Sequence, residues 1–306
     1  MSTPATTVSP KRKAALLREL LAALRVHQWV KNLLVFVSPL LGDALFEPQP
    51  FLRTCLVFVA FCAAASGTYL INDLLDLQSD REHPRKRERP FASGRLPLAF
   101  GALGPVLLFA GFGIGLYVSG TTAAIVAGYI VIALSYSLYL KKKPLVDVFT
   151  LSLLYTVRIY AGQLALDVEP SNWLVTYSGF LFLSLAFLKR VSEYQAIVKS
   201  KTSYETGRGY RPVDVEMLKT MGVASSFASS MVLALYIDSE SAAMTYEYPM
   251  LLWSIVPIIL FWQSRLWLAA GRGKMTDDPI VFAARDWVSG LCFGLLLAVY
   301  GLAIYL

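Results

Sequence analysis

The sequence predicts an all-α polytopic membrane protein of about nine transmembrane helices, with its charge gathered into loops on one side. Three observations carry that class. Of 306 residues, 56% are hydrophobic and 16% charged, where a soluble domain carries about a quarter charged residues. The charge is segregated, so that stretches such as 145–166 and 287–306 hold almost none. The apolar runs are ~20 residues long, which at 1.5 Å per residue crosses ~30 Å of hydrocarbon.

Taken in order, hydropathy places the spans at 29–46, 52–77, 97–118, 121–140, 145–166, 172–188, 217–237, 248–268 and 286–306. Glycine and proline inside several of them are tolerated in membrane helices. No low-complexity linker divides the chain, so residues 1–306 read as one membrane domain. Residues 1–28 are expected to form a cytoplasmic tail, whose start at 1–10 is polar and lacks the apolar core of a signal peptide. Within that tail, Leu16, Leu17, Leu20, Leu21 and Leu24 make one apolar stripe, expected to lie as an interfacial helix on the inner leaflet. Cys55, Cys62 and Cys292 all fall in apolar runs without metal-ligand spacing, so neither zinc nor a disulfide framework is expected.

Orientation follows from the basic residues. With the N-terminus cytoplasmic, 26 of the 28 lysines and arginines fall on the inner side, while Asp43, Glu47, Asp167, Glu169, Asp238, Glu240 and Glu247 mark outer loops. Nine spans satisfy the positive-inside rule and put the C-terminus outside. The location expected is the inner, plasma membrane. The net charge of +7 is thereby a matter of topology, and nucleic acid is not expected as a partner.

Chemistry concentrates at the inner ends of two spans. Asn72, Asp73, Asp76 and Asp80 close the second; at 100° per residue, 73, 76 and 80 share a face. Carboxylates so gathered repel one another unless a cation sits between them, and oxygen ligands of this kind suit Mg²⁺ completed by phosphate oxygens. The basic run 85–95, with Lys86, Arg87 and Arg89, follows directly; it is a topology signal that also suits phosphates bridged by such a metal. His83, before a proline, reads as a loop residue. The sixth span ends in Lys189, Arg190, Glu193 and Tyr194. There Lys189 and Glu193 make an i,i+4 pair, or Glu193 makes a second metal or ribose contact. Arg158 lies mid-span, at a cost of at least ~2.5–3.5 kcal/mol, and must face a polar interior as the partner of an acid or of an anionic substrate. Asp147 and Lys31 sit near the inner boundary, where Lys31 either snorkels or binds.

The motifs N-D-x-x-D-x-x-x-D at 72–80 and H-P-x-K-x-x-R-P-x-A-S-G at 83–94, with Asp147, Arg158 and Gly162 downstream, resemble the UbiA superfamily of intramembrane prenyltransferases. The resemblance covers nearly the whole chain and implies a UbiA-like bundle with cytoplasmic cap loops. Members that prenylate aromatic rings carry a second D-x-x-x-D after the sixth span, and here that region reads Lys189-Arg190-Val191-Ser192-Glu193. With Gln28-Trp29-x-Lys31-Asn32, this looks like the branch that transfers phosphoribosyl groups to polyprenyl phosphates. It implies phosphoribosyl diphosphate and decaprenyl phosphate as substrates, Mg²⁺ as cofactor, a product for cell-wall arabinan synthesis, and room for a homo-oligomer. Metal ligands are then expected at Asn72, Asp73, Asp76 and Asp80, and catalytic roles at Asp73, Asp76, Asp80 and Glu193. Substrate contacts are expected from Lys31, Tyr69, Asn72, Lys86, Arg87, Arg89, Arg158, Lys189, Arg190 and Tyr194. Two other readings compete: an aromatic prenyltransferase, which wants two acidic clusters, and an ion-coupled transporter, which wants paired repeats with broken helices.

Overall fold

A computed structural model describes residues 10–42, 47–83, 86–166, 170–200, 208–275 and 278–305. Arg85, Asp43, Asp167 and Glu169, which figure in the sequence reading, lie outside the described residues. Helices alone make up the regular structure there, in two compact units: 1–138 with 164–166, and 139–163 with 167–306.

The first unit contains α1 (Pro10–Ala23), a 3₁₀ segment Val26–Phe36 running into α2 (Val37–Leu41), α3 (Pro48–Leu75), α4 (Leu77–Glu82), α5 (Leu103–Val118) and α6 (Gly120–Leu138). Pro48 starts α3, where a missing N–H costs nothing. Its packing against α5 depends on small residues. A Cβ on Gly67 would lie 2.8 Å from the Gly104 carbonyl oxygen, and one on Gly111 would lie 2.7 Å from that of Ala60. Backbones this close are how helices associate where lipid removes the hydrophobic drive.

The second unit contains α7 (Val146–Leu164), α8 (Asn172–Ser200), α9 (Asp214–Ile237), α10 (Glu240–Thr245), α11 (Ile255–Gly271), α12 (Pro279–Arg285) and α13 (Trp287–Tyr305). Val148, Ala186, Phe187, Val191 and Leu218 knit α7, α8 and α9 together. Between α9 and α11 runs a polar seam: Ser226 donates to Gln263, whose amide donates to Ser229 at 3.0 Å.

Nine spans were expected, and the described helices reach that number only in part. Seven are long and apolar enough to cross a membrane, and eight if α1 and the Val26–Leu41 stretch, bent by 49°, count as one. The expected first span, 29–46, is mostly 3₁₀ rather than α. The expected fifth is α7, nineteen residues long, whose polar residues keep it below that apolarity. Those residues face inward: Asp147, Thr150, Ser152, Thr156, Arg158 and Gln163 are all buried.

The leucine stripe on α1 divides. Leu16, Leu20 and Leu24 pack with Ala23 against Leu70, Phe91 and Leu96, while Leu17 and Leu21 are exposed. Three of the five leucines therefore serve the protein core rather than a lipid surface.

Candidate active site

Two clusters of ionised side chains stand at helix ends, one in each unit. In the first, α3 stops at Asp76, whose N–H bonds the Asn72 carbonyl at 2.9 Å and whose own carbonyl receives Asp80 N–H at 2.8 Å. The helix breaks there between α3 and α4, so Asp73, Asp76 and Asp80 do not lie on one continuous helix. Asp73 and Asp80 are buried, Asp76 and Asn72 half-buried. Arg89 Nη1 reaches Asp73 Oδ1 at 3.1 Å and Asp80 Oδ2 at 2.6 Å. Arg25 adds a second guanidinium, 2.5 Å from Asp73 Oδ1, with its own face over the Tyr69 ring at 4.7 Å.

This revises the expected metal site in one respect. Among the described residues, no three His, Cys, Asp or Glu side chains gather as a metal group. Two carboxylates do converge on a single cation, and that cation is the Arg89 guanidinium. The donor set still fits a hard divalent ion. Asp80 Oδ1 is buried and makes no hydrogen bond, with Lys86 Nζ at 3.8 Å. An unsatisfied carboxylate oxygen at that depth is costly and would welcome a cation. Of the other expected contacts, Lys31 is buried, and Arg87 is exposed beside Glu88 at 3.9 Å.

In the second cluster, Arg190 is 3% exposed. Its Nε lies 2.7 Å from Asp147 Oδ2, and its Nη1 is paired with Glu193. Arg208 Nε approaches Glu193 at 3.3 Å. Tyr210 donates to Asp147 and accepts the Leu145 N–H at 2.9 Å. Burial and the bond to Asp147 push the Tyr210 hydroxyl pKa well above its ordinary value, so it stays a donor. Lys189 does not pair with Glu193 as an i,i+4 contact would; its Nζ lies 2.8 Å from Asp278 Oδ2. Arg158 is buried, donates to the Leu154 carbonyl, and sits 5.7 Å from the centre of the Tyr155 ring. Tyr194 is half-buried on α8.

Sequence reasoning passed over Asp278, Tyr155, Tyr210 and the contact made by Arg25. Asp278 shows in the sequence only as the Asp-Pro start of α12, where its side chain caps the Ile280 N–H at 3.1 Å. Backbone strain marks both clusters independently. The described non-glycine residues with positive φ are Arg25 (52°) and Leu145 (66°), and each supplies a contact named above. Such conformations cost ~1–3 kcal/mol apiece and collect at functional sites.

Apolar helices of this number and length define a multi-pass membrane protein. Residues 34–276 match the UbiA prenyltransferase family, and the chain belongs to that family. It is 36% identical over 97% of its length to uncharacterized protein y4nM of Sinorhizobium fredii, of which it spans 58%. It is 33% identical to nodulation protein NoeC of Azorhizobium caulinodans, covering 91% of this chain and 92% of that one. It is 30% identical to decaprenyl-phosphate phosphoribosyltransferase of Corynebacterium glutamicum, covering 92% and 86%. A UbiA homolog from Archaeoglobus fulgidus, solved with GPP and Mg²⁺, shares the fold with a TM-score of 0.70 at 18% identity, over 92% of this chain and 99% of that one.

Proposed function

We propose that the chain transfers a 5-phosphoribosyl group from phosphoribosyl diphosphate to a polyprenyl phosphate such as decaprenyl phosphate, releasing diphosphate. One observation carries the choice of donor. At the end of α8 the acids are already engaged, Glu193 by Arg190 and Arg208, and Asp147 by Arg190. The Lys189 side chain there is 24% exposed, where that of Arg190 is 2% exposed and committed to both acids. That end of α8 suits an anionic substituent better than a second metal, and phosphoribosyl diphosphate carries one at its 5-position. The name of the Corynebacterium relative supports the same substrates.

On this reading Asp73, Asp76 and Asp80, with Asn72, hold Mg²⁺, which when bound lends positive charge to the departing diphosphate. Lys86, Arg87 and Arg89 bind the diphosphate oxygens. Lys189 and Arg158 bind the 5-phosphate, while Arg190 and Glu193 stay together as the support that orients them. The bond from ribose C1 to the diphosphate oxygen breaks, its electron pair leaving with diphosphate. An oxygen of the lipid phosphate bonds to C1 in its place. The acceptor is already an anion, so no strong base is required, and the work left to the protein is positioning and charge stabilisation. Cell-wall arabinan is the destination of the lipid product that the sequence resemblance implies.

Purified protein given Mg²⁺, labelled phosphoribosyl diphosphate and decaprenyl phosphate should yield a labelled lipid, and EDTA should abolish it. Failure with that donor, together with transfer from geranylgeranyl diphosphate to an aromatic acceptor, would replace this reading with the aromatic prenyltransferase one.

A further inference from the structure

Asp278 is a half-buried acid that neither the metal nor the diphosphate role employs, and its surroundings suit a sugar. Its side chain is 9% exposed and 2.8 Å from Lys189 Nζ. Oδ2 also accepts from Tyr155 Oη at 3.2 Å, and Oδ1 from Ile280 N–H at 3.1 Å. Tyr155 in turn stacks on Phe182, ring centres 5.2 Å apart and planes 26° apart. A carboxylate fixed in this way offers what a vicinal diol needs, acceptors for two adjacent hydroxyls.

We propose that Asp278 is the pentose-recognition residue of this protein, accepting hydrogen bonds from the 2- and 3-hydroxyls of a phosphorylated ribose whose phosphate is bound by Lys189. The inference rests on the phosphoribosyl reading above. Lys189 is the more exposed of the pair, 24% against 9%, so it is the member able to turn toward an incoming phosphate. Turning takes the ammonium from a half-buried carboxylate that keeps Tyr155 Oη and the Ile280 N–H, and losing that charged donor costs free energy unless another donor replaces it. The diol is that donor. A prenyl chain offers none, so the same residue would discriminate against prenyl diphosphates.

The test is equilibrium binding of ribose 5-phosphate and 2-deoxyribose 5-phosphate to the full-length protein, measured by calorimetry for wild type, Asp278→Asn and Lys189→Met. Wild type should prefer the ribose compound by about tenfold or more, the range for a hydrogen bond to a charged group. Asp278→Asn should weaken ribose 5-phosphate by about tenfold and bring the two sugars close to equal. Lys189→Met should weaken both and keep their ratio, a pattern that a purely structural ion pair would not give. Equal binding of the two sugars by wild type overturns the inference even if Asp278→Asn fails to fold, as does a folded Asp278→Asn that keeps the wild-type ratio. In either case the phosphoribosyl reading survives. If neither sugar phosphate binds wild type, that reading falls and takes the inference with it.

Discussion

The Arg89 guanidinium bridges Asp73 and Asp80, two of the carboxylates expected to hold a metal, and leaves Asp76 out, which separates the roles of neighbouring residues. Removing Arg89 strips a shared partner from two buried carboxylates. Arg89→Ala should therefore cost ~3–5 kcal/mol, read as a lower melting temperature in detergent. Asp76 is half-buried at the break between α3 and α4, and Asp76→Ala should abolish transfer while melting like wild type. A melting loss in Asp76→Ala as large as in Arg89→Ala would mean that all three aspartates are structural. The aspartate motif was legible because 73, 76 and 80 follow the helical repeat. Asp278 was not, because it meets Lys189 across 89 residues of sequence, and nothing local announces a contact made through space. The Lys189–Glu193 spacing allowed a pair that did not form: the i,i+3 neighbour Arg190, with Arg208, holds the acid instead.

Among the elements, α5 gives the sharpest contrast. A Cβ on Gly111 would meet backbone of α3 at 2.7 Å, whereas one on Gly113 would meet nothing within 4 Å. Gly111→Leu should destabilise by ~1–3 kcal/mol through overpacking, and Gly113→Leu should leave the melting temperature unchanged; equal effects would refute the close contact. A pH dependence belongs to the junction of α12 and α13. There the Arg265 guanidinium, bonded to both oxygens of Asp286 at 2.6 and 2.9 Å, holds that carboxyl below its ordinary 3.8. A depressed folded pKa means the stabilisation is present above the ordinary value and is lost as pH falls through the lower one. Wild type should lose melting temperature across that acid window, and Asp286→Asn should show a flatter profile. Most elements were legible from length and apolarity alone. Exceptions have physical causes: the stretch 26–36 is a 3₁₀ helix, which rises 2.0 Å per residue and so needs fewer residues than the rule for α-helices assumes. In α7, inward polar side chains dilute the average on which hydropathy depends.

For the whole molecule, the charge pattern commits to a sidedness. A reporter fused after Leu306 should read as extracytoplasmic, and one in the 81–95 loop as cytoplasmic. The same side for both would change the parity of the span count. The number of spans was only partly legible, because the membership of α7 depends on what its polar face meets and not on its own composition. Timing follows from that. Asp147 is made 43 residues before Arg190, the buried cation that it pairs with. At 5–20 residues per second, the carboxylate waits roughly 2–9 s for its counter-charge, with Arg158 equally exposed to the cost of entering lipid. During synthesis α7 is therefore an unstable passenger, and it should settle only once α8 has emerged beside it. Chains truncated after Leu166 should leave α7 extractable by alkali or open to protease, and chains extended past Glu193 should protect it.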